Sequence, residues 1–278
     1  MATTEPLRRN QTSVRVIAVN GSVRSERPDT LATEEPMEIR VGGPDQEAVQ
    51  VAVTMRTPGG DYELAVGFLF TEGLMAPTDL RRVAYCDDLD ADEQRYNVVT
   101  VTLDRPFDPA ALRRNFYATS SCGICGKAAL DDIEVHCAPV GAGPSVAADV
   151  LSGLPDKLRS KQKIFERTGG LHAAGLFTEA GDLVALREDV GRHNAVDKVI
   201  GEQLLAGALP LSSHVLQVSG RVSFELVQKA AMAGIPILAA VGAPSSLAVE
   251  AGERFGMTVV GFVRDGRLNV YSHPERLV

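Results

Sequence analysis

The stretch HVLQVSGRVSFELVQKAAMAGIPILAAVGAPSSLAVEAGERFGMTVVGFV, residues 214–263, decides the fold. Short apolar runs alternate in it with amphipathic ones. His214–Val218 reads as a strand and Phe224–Ala233 as a helix. Ile235–Val241 is a nearly all-apolar strand of the kind buried in a parallel sheet, Leu247–Phe255 is a helix, and Thr258–Val263 is a strand. Immediately upstream, Leu171–Thr178 and Leu183–Arg187 predict a hairpin through Glu179-Ala180-Gly181-Asp182, followed by a helix over Ala195–Leu205 with Val196, Val199, Ile200 and Leu204 on one side. Downstream, Arg264-Asp265-Gly266-Arg267 turns the chain into a last strand, Leu268–Tyr271. The pattern predicts an α/β layer with three strand-to-helix crossings.

Towards the N-terminus the pattern becomes mixed, with a strong β component. Val14–Val19, Met37–Val41, Ala48–Met55 and Val98–Leu103 read as strands, Tyr62–Leu74 as a helix, and Leu154–Phe165 as another. The expected organisation is a disordered tail over 1–12, a β-rich N-terminal domain over 13–116, a mobile cysteine loop and connector over 117–150, and the α/β domain over 151–278. A formal charge of −8 on 278 residues repels phosphate backbones, so nucleic acid is not an expected partner. Met1–Ser13 is polar and no apolar stretch follows it, so no secretory leader is expected, and no run is long enough to span a bilayer. These features predict a cytoplasmic protein without a membrane partner, in a compartment that keeps thiols reduced.

In an open parallel sheet, ligands bind beyond the carboxyl ends of the strands. The loops expected there are Glu188–His193, Ser219–Ser223 and Gly242–Ser246; each contains glycine, and Arg192 and Arg221 add positive charge. Singly they read as turns and caps. Together they point to a phosphate-bearing small molecule, although no G-x-G-x-x-G follows a strand and no Walker-type loop is present. His172 and His193 are second-tier candidates there.

The sharper signal is Cys122-Gly123-Ile124-Cys125 in a small, polar loop. Two cysteines at this spacing share a metal, form a reversible disulfide, or act as nucleophile and neighbour. Lys127 close by favours thiolate. A closed zinc site lacks a second ligand pair, since His136-Cys137 is the nearest supplement, and a thioredoxin-like pair would open a helix after an apolar strand, whereas Tyr117–Ser121 is small and polar. Cys86 reads as packing.

Ser121-Cys122-Gly123-Ile124-Cys125-Gly126-Lys127, Thr168–Ala174, Arg187–Lys198, Ser219-Gly220-Arg221 and Gly242–Ser246 together resemble the formate dehydrogenase accessory sulfurtransferases, the FdhD family. Glu35-Pro36 and Gly67–Gly73 are similar too, so the resemblance covers nearly the whole chain after residue 30. It implies a sulfurtransferase that takes persulfide sulfur from a cysteine desulfurase and passes it to the molybdenum bis-guanine-dinucleotide cofactor, its substrate, for apo formate dehydrogenase. Cys122 matches the persulfide-bearing cysteine and Cys125 the second cysteine of the motif. Phe262, Val263, Arg264, Asp265, Gly266 and Arg267 match the cofactor-binding stretch. The resemblance further implies a homodimer and a cytidine-deaminase-like C-terminal domain. That domain would lack zinc, because His193-Asn194-Ala195 and Ser219-Gly220-Arg221-Val222 stand where a deaminase has its glutamate and cysteines. Two other readings remain open beside the carrier: a cofactor-binding chaperone without sulfur transfer, and a cytosolic thiol–disulfide oxidoreductase.

Overall fold

The computed structural model describes residues 9–86, 97–110 and 137–278. Cys122 and Cys125, with most of the connector expected over 117–150, lie outside these residues. The described chain is mixed α/β and forms three sheets. A two-stranded ribbon pairs β1 (Gln11–Asn20) with β2 (Val23–Ala32). A four-stranded sheet runs β4 (Val49–Arg56), β3 (Glu35–Gly42), β6 (Val98–Leu103), β5 (Leu80–Tyr85). The third sheet has six strands in the order β12 (Arg267–Ser272), β11 (Thr258–Arg264), β10 (Ile237–Ala240), β9 (His214–Val218), β7 (His172–Thr178), β8 (Leu183–Asp189).

Within that sheet β9, β10 and β11 are parallel, joined by helices α5 (Phe224–Met232) and α6 (Ser246–Arg254), and α4 (Arg192–Leu205) links β8 to β9. The hairpin β7–β8 and the last strand β12 add antiparallel edges. The three expected crossings and the hairpin are present. All four residues of β10 are buried, as its apolar run requires of a strand covered on both faces.

Two helical layers do the covering. Leu216, Val218, Leu238, Ala240 and Val259 face α4, α5 and α6 in an apolar cluster that continues into the four-stranded sheet and α1 (Asp61–Thr71). The alternate residues Val215, Ile237, Ala239, Val260 and Val263 meet Leu151, Leu154 and Leu158 of α2 (Ala148–Lys161) on the opposite face.

Several elements differ from expectation. Strand β1 begins at Gln11, inside the stretch read as a tail. Strand β2 was not foreseen: Arg24, Glu26, Arg27, Pro28 and Asp29 give it no apolar alternation. The helix expected over Leu154–Phe165 is two helices, α2 and α3 (Lys163–Thr168), broken at Gln162. The break is imposed from a distance. The Glu188 carboxylate accepts hydrogen bonds from the backbone N–H groups of Ile164 (3.0 Å) and Phe165 (2.7 Å) and so starts a new helix there.

Helices α1 and α4 pack backbone to backbone. A methyl group on Gly67 would overlap the carbonyl oxygen of Asp197, and one on Gly201 would overlap that of Glu63. Buried ion pairs flank this contact. Lys198 of α4 pairs with Asp189 at 2.7 Å, Lys229 of α5 pairs with Asp197 and Glu72 at 2.9 Å each, and Arg56 pairs with Asp61 at 2.8 Å. Stripping water from such charges is compensated only when each remaining polar atom is also bonded. Asp61 meets that condition by accepting further bonds from Tyr85 Oη (2.9 Å) and Gly59 N (3.2 Å).

Candidate functional site at the carboxyl edge

Because β9, β10 and β11 share a direction and β7 opposes them, five chain segments meet at one edge: the start of β7, the end of β8, and the ends of β9, β10 and β11. All three glycine-containing loops singled out above lie here, with His172, His193, Arg192 and Arg221. The loops are tied to one another. Gly242 N donates to Gly220 O (3.0 Å), Val222 N to Ala243 O (3.1 Å), Ser245 N to Val222 O (2.9 Å) and Phe262 N to Gly242 O (3.1 Å). Gly242 is needed for this stacking, since a Cβ there would sit 3.0 Å from both Arg221 Cγ and Gly220 O. At this position the glycine serves loop against loop rather than loop against ligand.

The hydroxyls divide in role. Ser245 caps α6, accepting from Ala248 N at 3.2 Å. Ser219 accepts from Ala173 N at 2.9 Å and ties β7 to the edge. Ser223 starts α5 without capping it; its hydroxyl lies 3.3 Å from His193 Nε2. The starts of α4 and α5 are thus side by side.

A cleft of about 640 Å³ opens between this edge and helices α2 and α3. Arg159, Gln162 and Phe165 form its helical wall, and His172, Ser219, Arg264 and Asp265 face them. The guanidinium of Arg159 lies over the Phe165 ring, 4.6 Å from its centre. Arg264 also borders a shallower recess of about 280 Å³ with Phe262, Arg267 and Asn269. The six residues matched to a cofactor-binding stretch therefore separate. Arg264 stands between two concavities, Asp265 lines the cleft and Arg267 the recess. Gly266, at φ 70°, makes the turn. Val263 is fully buried under α2, in the lining of the cleft. Register breaks between Gly261 and Arg264, and Phe262 takes φ 54°, which leaves its ring 38% exposed at the rim. Such a bulge re-aims a side chain at an edge, and the left-handed backbone of an aromatic residue is strain held by its surroundings.

The histidines are kept neutral. Burial first, then Arg192, lower the pKa of His172 against the opposing pull of Asp189. Burial, Arg192 and Lys229 bring His193 down to about 4. Arg192 Nε is itself buried without a hydrogen-bond partner among the described residues. An unfolded histidine binds its proton near pH 6.5, so between about pH 6.5 and 4 the unfolded chain takes up a proton that folded His193 refuses. Stability falls as pH drops through that window. His193→Gln is expected to flatten this part of the profile, measured as the urea midpoint against pH.

Asp189 holds the edge in place. It accepts from Gly191 N (2.8 Å), Asn194 Nδ2 (2.9 Å) and Thr57 N (3.1 Å), while Lys198 Nζ also donates to Thr57 O (2.8 Å). Asn194 Nδ2 donates in addition to Met55 O (2.8 Å). The loop that starts α4 is thereby fixed to the end of β4. Sequence reading found neither this support nor the cleft wall on α2 and α3; Arg159 sits on an ordinary amphipathic helix that gives no local sign of a ligand. Of the two described cysteines, Cys137 is buried, with its thiol pushed up to about 11 by burial, and is packing; Cys86 follows β5 and is half-buried.

Fold and edge define an α/β protein that presents five segments, two arginines and the neutral His172 around one cleft. Its sequence neighbours make the class specific. The chain belongs to the FdhD/NarQ family, whose model matches residues 32–278. It is 52% identical over 270 residues to the sulfur carrier protein FdhD of Streptomyces coelicolor, covering 95% of this chain and 94% of that protein. It is 42% identical over 266 residues to the sulfur carrier protein FdhD of Sulfurisphaera tokodaii, covering 95% and 98%. A crystal structure described as a formate dehydrogenase accessory protein, from Desulfotalea psychrophila, superposes with a TM-score of 0.75 at 25% identity, over 97% of this chain and 100% of that one.

Proposed function

We propose that this chain is a sulfur carrier in formate dehydrogenase maturation. It takes sulfur from a cysteine desulfurase as a persulfide on Cys122 and passes it to the molybdenum bis-guanine-dinucleotide cofactor, its substrate, held at the carboxyl edge. The observation that carries this reading is 52% identity, over nearly the full length of both chains, to a protein named as a sulfur carrier. The Cys122 thiolate attacks the outer sulfur of the desulfurase persulfide. A sulfur–sulfur bond forms as another breaks, and the desulfurase cysteine leaves as thiolate, with no net oxidation. Lys127, two residues beyond Cys125, favours the attacking thiolate. Cys125 is the neighbouring thiol of the motif.

Cofactor binding at the edge is supported by the arginines. A dinucleotide pyrophosphate needs charged donors, and Arg264 serves both concavities, with Arg159 across the cleft and Arg267 in the recess. Apo formate dehydrogenase is then the recipient. Among the described residues no helix is long and apolar enough to cross a membrane.

Binding and carriage separate by mutation. Arg264→Glu combined with Arg267→Glu is expected to weaken binding of the molybdenum cofactor at least tenfold, measured by titration, while Cys122 still accepts sulfur. A tenfold loss is about 1.4 kcal/mol, within the contribution of one charged hydrogen bond. Cys122→Ala should do the reverse, keeping binding and abolishing formate dehydrogenase activation. If Cys122→Ala activates the enzyme normally, the chaperone reading replaces this one.

A further inference from the structure

The local sequence of α2 and α3 favours one continuous helix. Leu151, Leu154 and Leu158 repeat at helical spacing, and no glycine or proline stands between Leu158 and Phe165. The helix nevertheless breaks at Gln162, which takes ψ 82° and gives α3 no side-chain cap. The start of α3 is held instead from β8, where the Glu188 carboxylate accepts from Ile164 N and Phe165 N. At the other end Gly169, at φ 66°, closes the helix with its N–H on Phe165 O (2.7 Å). A helix of 6 residues does not hold itself in water, so these two fixings decide where it lies.

The break decides what the cleft wall presents. In an unbroken helix Arg159 and Phe165 would lie about 9 Å apart along the axis and point about 120° away from each other. With the break, the Arg159 guanidinium lies 4.6 Å from the centre of the Phe165 ring, and both residues line the cleft. The wall thus offers an aromatic surface and a held cation together, across from Arg264. Glu188 itself is not among the residues that line the cleft.

We propose that Glu188 is a positioning residue for cofactor binding: from β8 it imposes the break after α2 and so assembles the Arg159–Phe165 wall. It acts without touching the ligand. The inference rests on the reading that the molybdenum cofactor is held at this edge, and it adds how the wall facing Arg264 is built. Without the carboxylate, the two N–H groups at the start of α3 lose their acceptors. Continuing α2 satisfies them again, because Ile164 N then meets Ser160 O and Phe165 N meets Lys161 O. Phe165 leaves Arg159 in that arrangement, and the wall is lost.

The test compares the full chain with Glu188→Ala and Glu188→Gln. The probe is guanosine diphosphate, the end group of the dinucleotide cofactor, titrated by calorimetry. Glu188→Ala should weaken its binding at least tenfold. Glu188→Gln keeps one accepting oxygen and should fall between Glu188→Ala and the native chain; it carries the comparison should the alanine variant unfold. A second readout needs no ligand. The chain has no tryptophan, so Phe165→Trp places a single fluorescent reporter on the wall. Adding Glu188→Ala to it should shift the emission and raise quenching by acrylamide, as the ring leaves Arg159. A role in stability alone predicts a lower urea midpoint with probe affinity and reporter unchanged, and that result overturns the proposal. A native chain that binds no probe overturns the cofactor reading and this inference together, whereas equal binding by native and Glu188→Ala chains overturns this inference alone.

Discussion

Gly67→Ala is expected to cost about 3 kcal/mol or more of folding stability, a large share of the ~5–15 kcal/mol typical of a domain. Two effects compete. Alanine is the better helix former by about 1 kcal/mol, which favours the variant. The added methyl, however, lands on the carbonyl oxygen of Asp197 in α4, and backbone cannot move aside as a flexible side chain would. Helices α1 and α4 must therefore separate, opening the apolar cluster that joins the four-stranded sheet to the six-stranded one. Gly201→Ala meets Glu63 O from the other side and should behave alike. Gly153→Ala in α2 is the control. Nothing lies within 4 Å of its would-be Cβ, so only the propensity term remains and the variant should gain about 0.5–1 kcal/mol. Urea unfolding of the three variants checks both signs.

Lys198→Met should cost about 3–5 kcal/mol, because it leaves the Asp189 carboxylate buried without its cation. Both side chains are essentially inaccessible, at 1% and 0%. The double variant Lys198→Met with Asp189→Asn removes the stranded charge and is expected to recover part of the loss. The asparagine still accepts through one oxygen but no longer serves Thr57, Gly191 and Asn194 together. A double-mutant cycle by urea denaturation measures the coupling. If the two single losses simply add, the pair is not the support described here.

What was legible in the sequence followed from burial. Strands β9, β10 and β11 announce themselves because both faces of a parallel strand are covered, so apolar residues dominate them and helices must intervene. The loops at their carboxyl ends were legible for the same reason, since the topology puts them on one edge. Strand β2 was not, because it has no covered face and so no alternation. The break between α2 and α3 was hidden because Glu188, which starts α3, lies 23 residues beyond Phe165 and reaches it only in the folded chain. The stretch Phe262–Arg267 was legible as a turn, but its bulge was not. Nothing local to Phe262 or Val263 says that the first ring is turned outward and the second side chain belongs to the core. The glycine contact between α1 and α4 was visible only as two glycines within helical sequence.

Sulfur carriage on Cys122 is tested most directly by the intact mass of the protein after incubation with a cysteine desulfurase and cysteine, compared with Cys122→Ala. The account predicts one added sulfur atom on the native chain, lost on reduction and absent from the variant. A native chain that gains no sulfur, or a Cys122→Ala chain that gains as much, would contradict it.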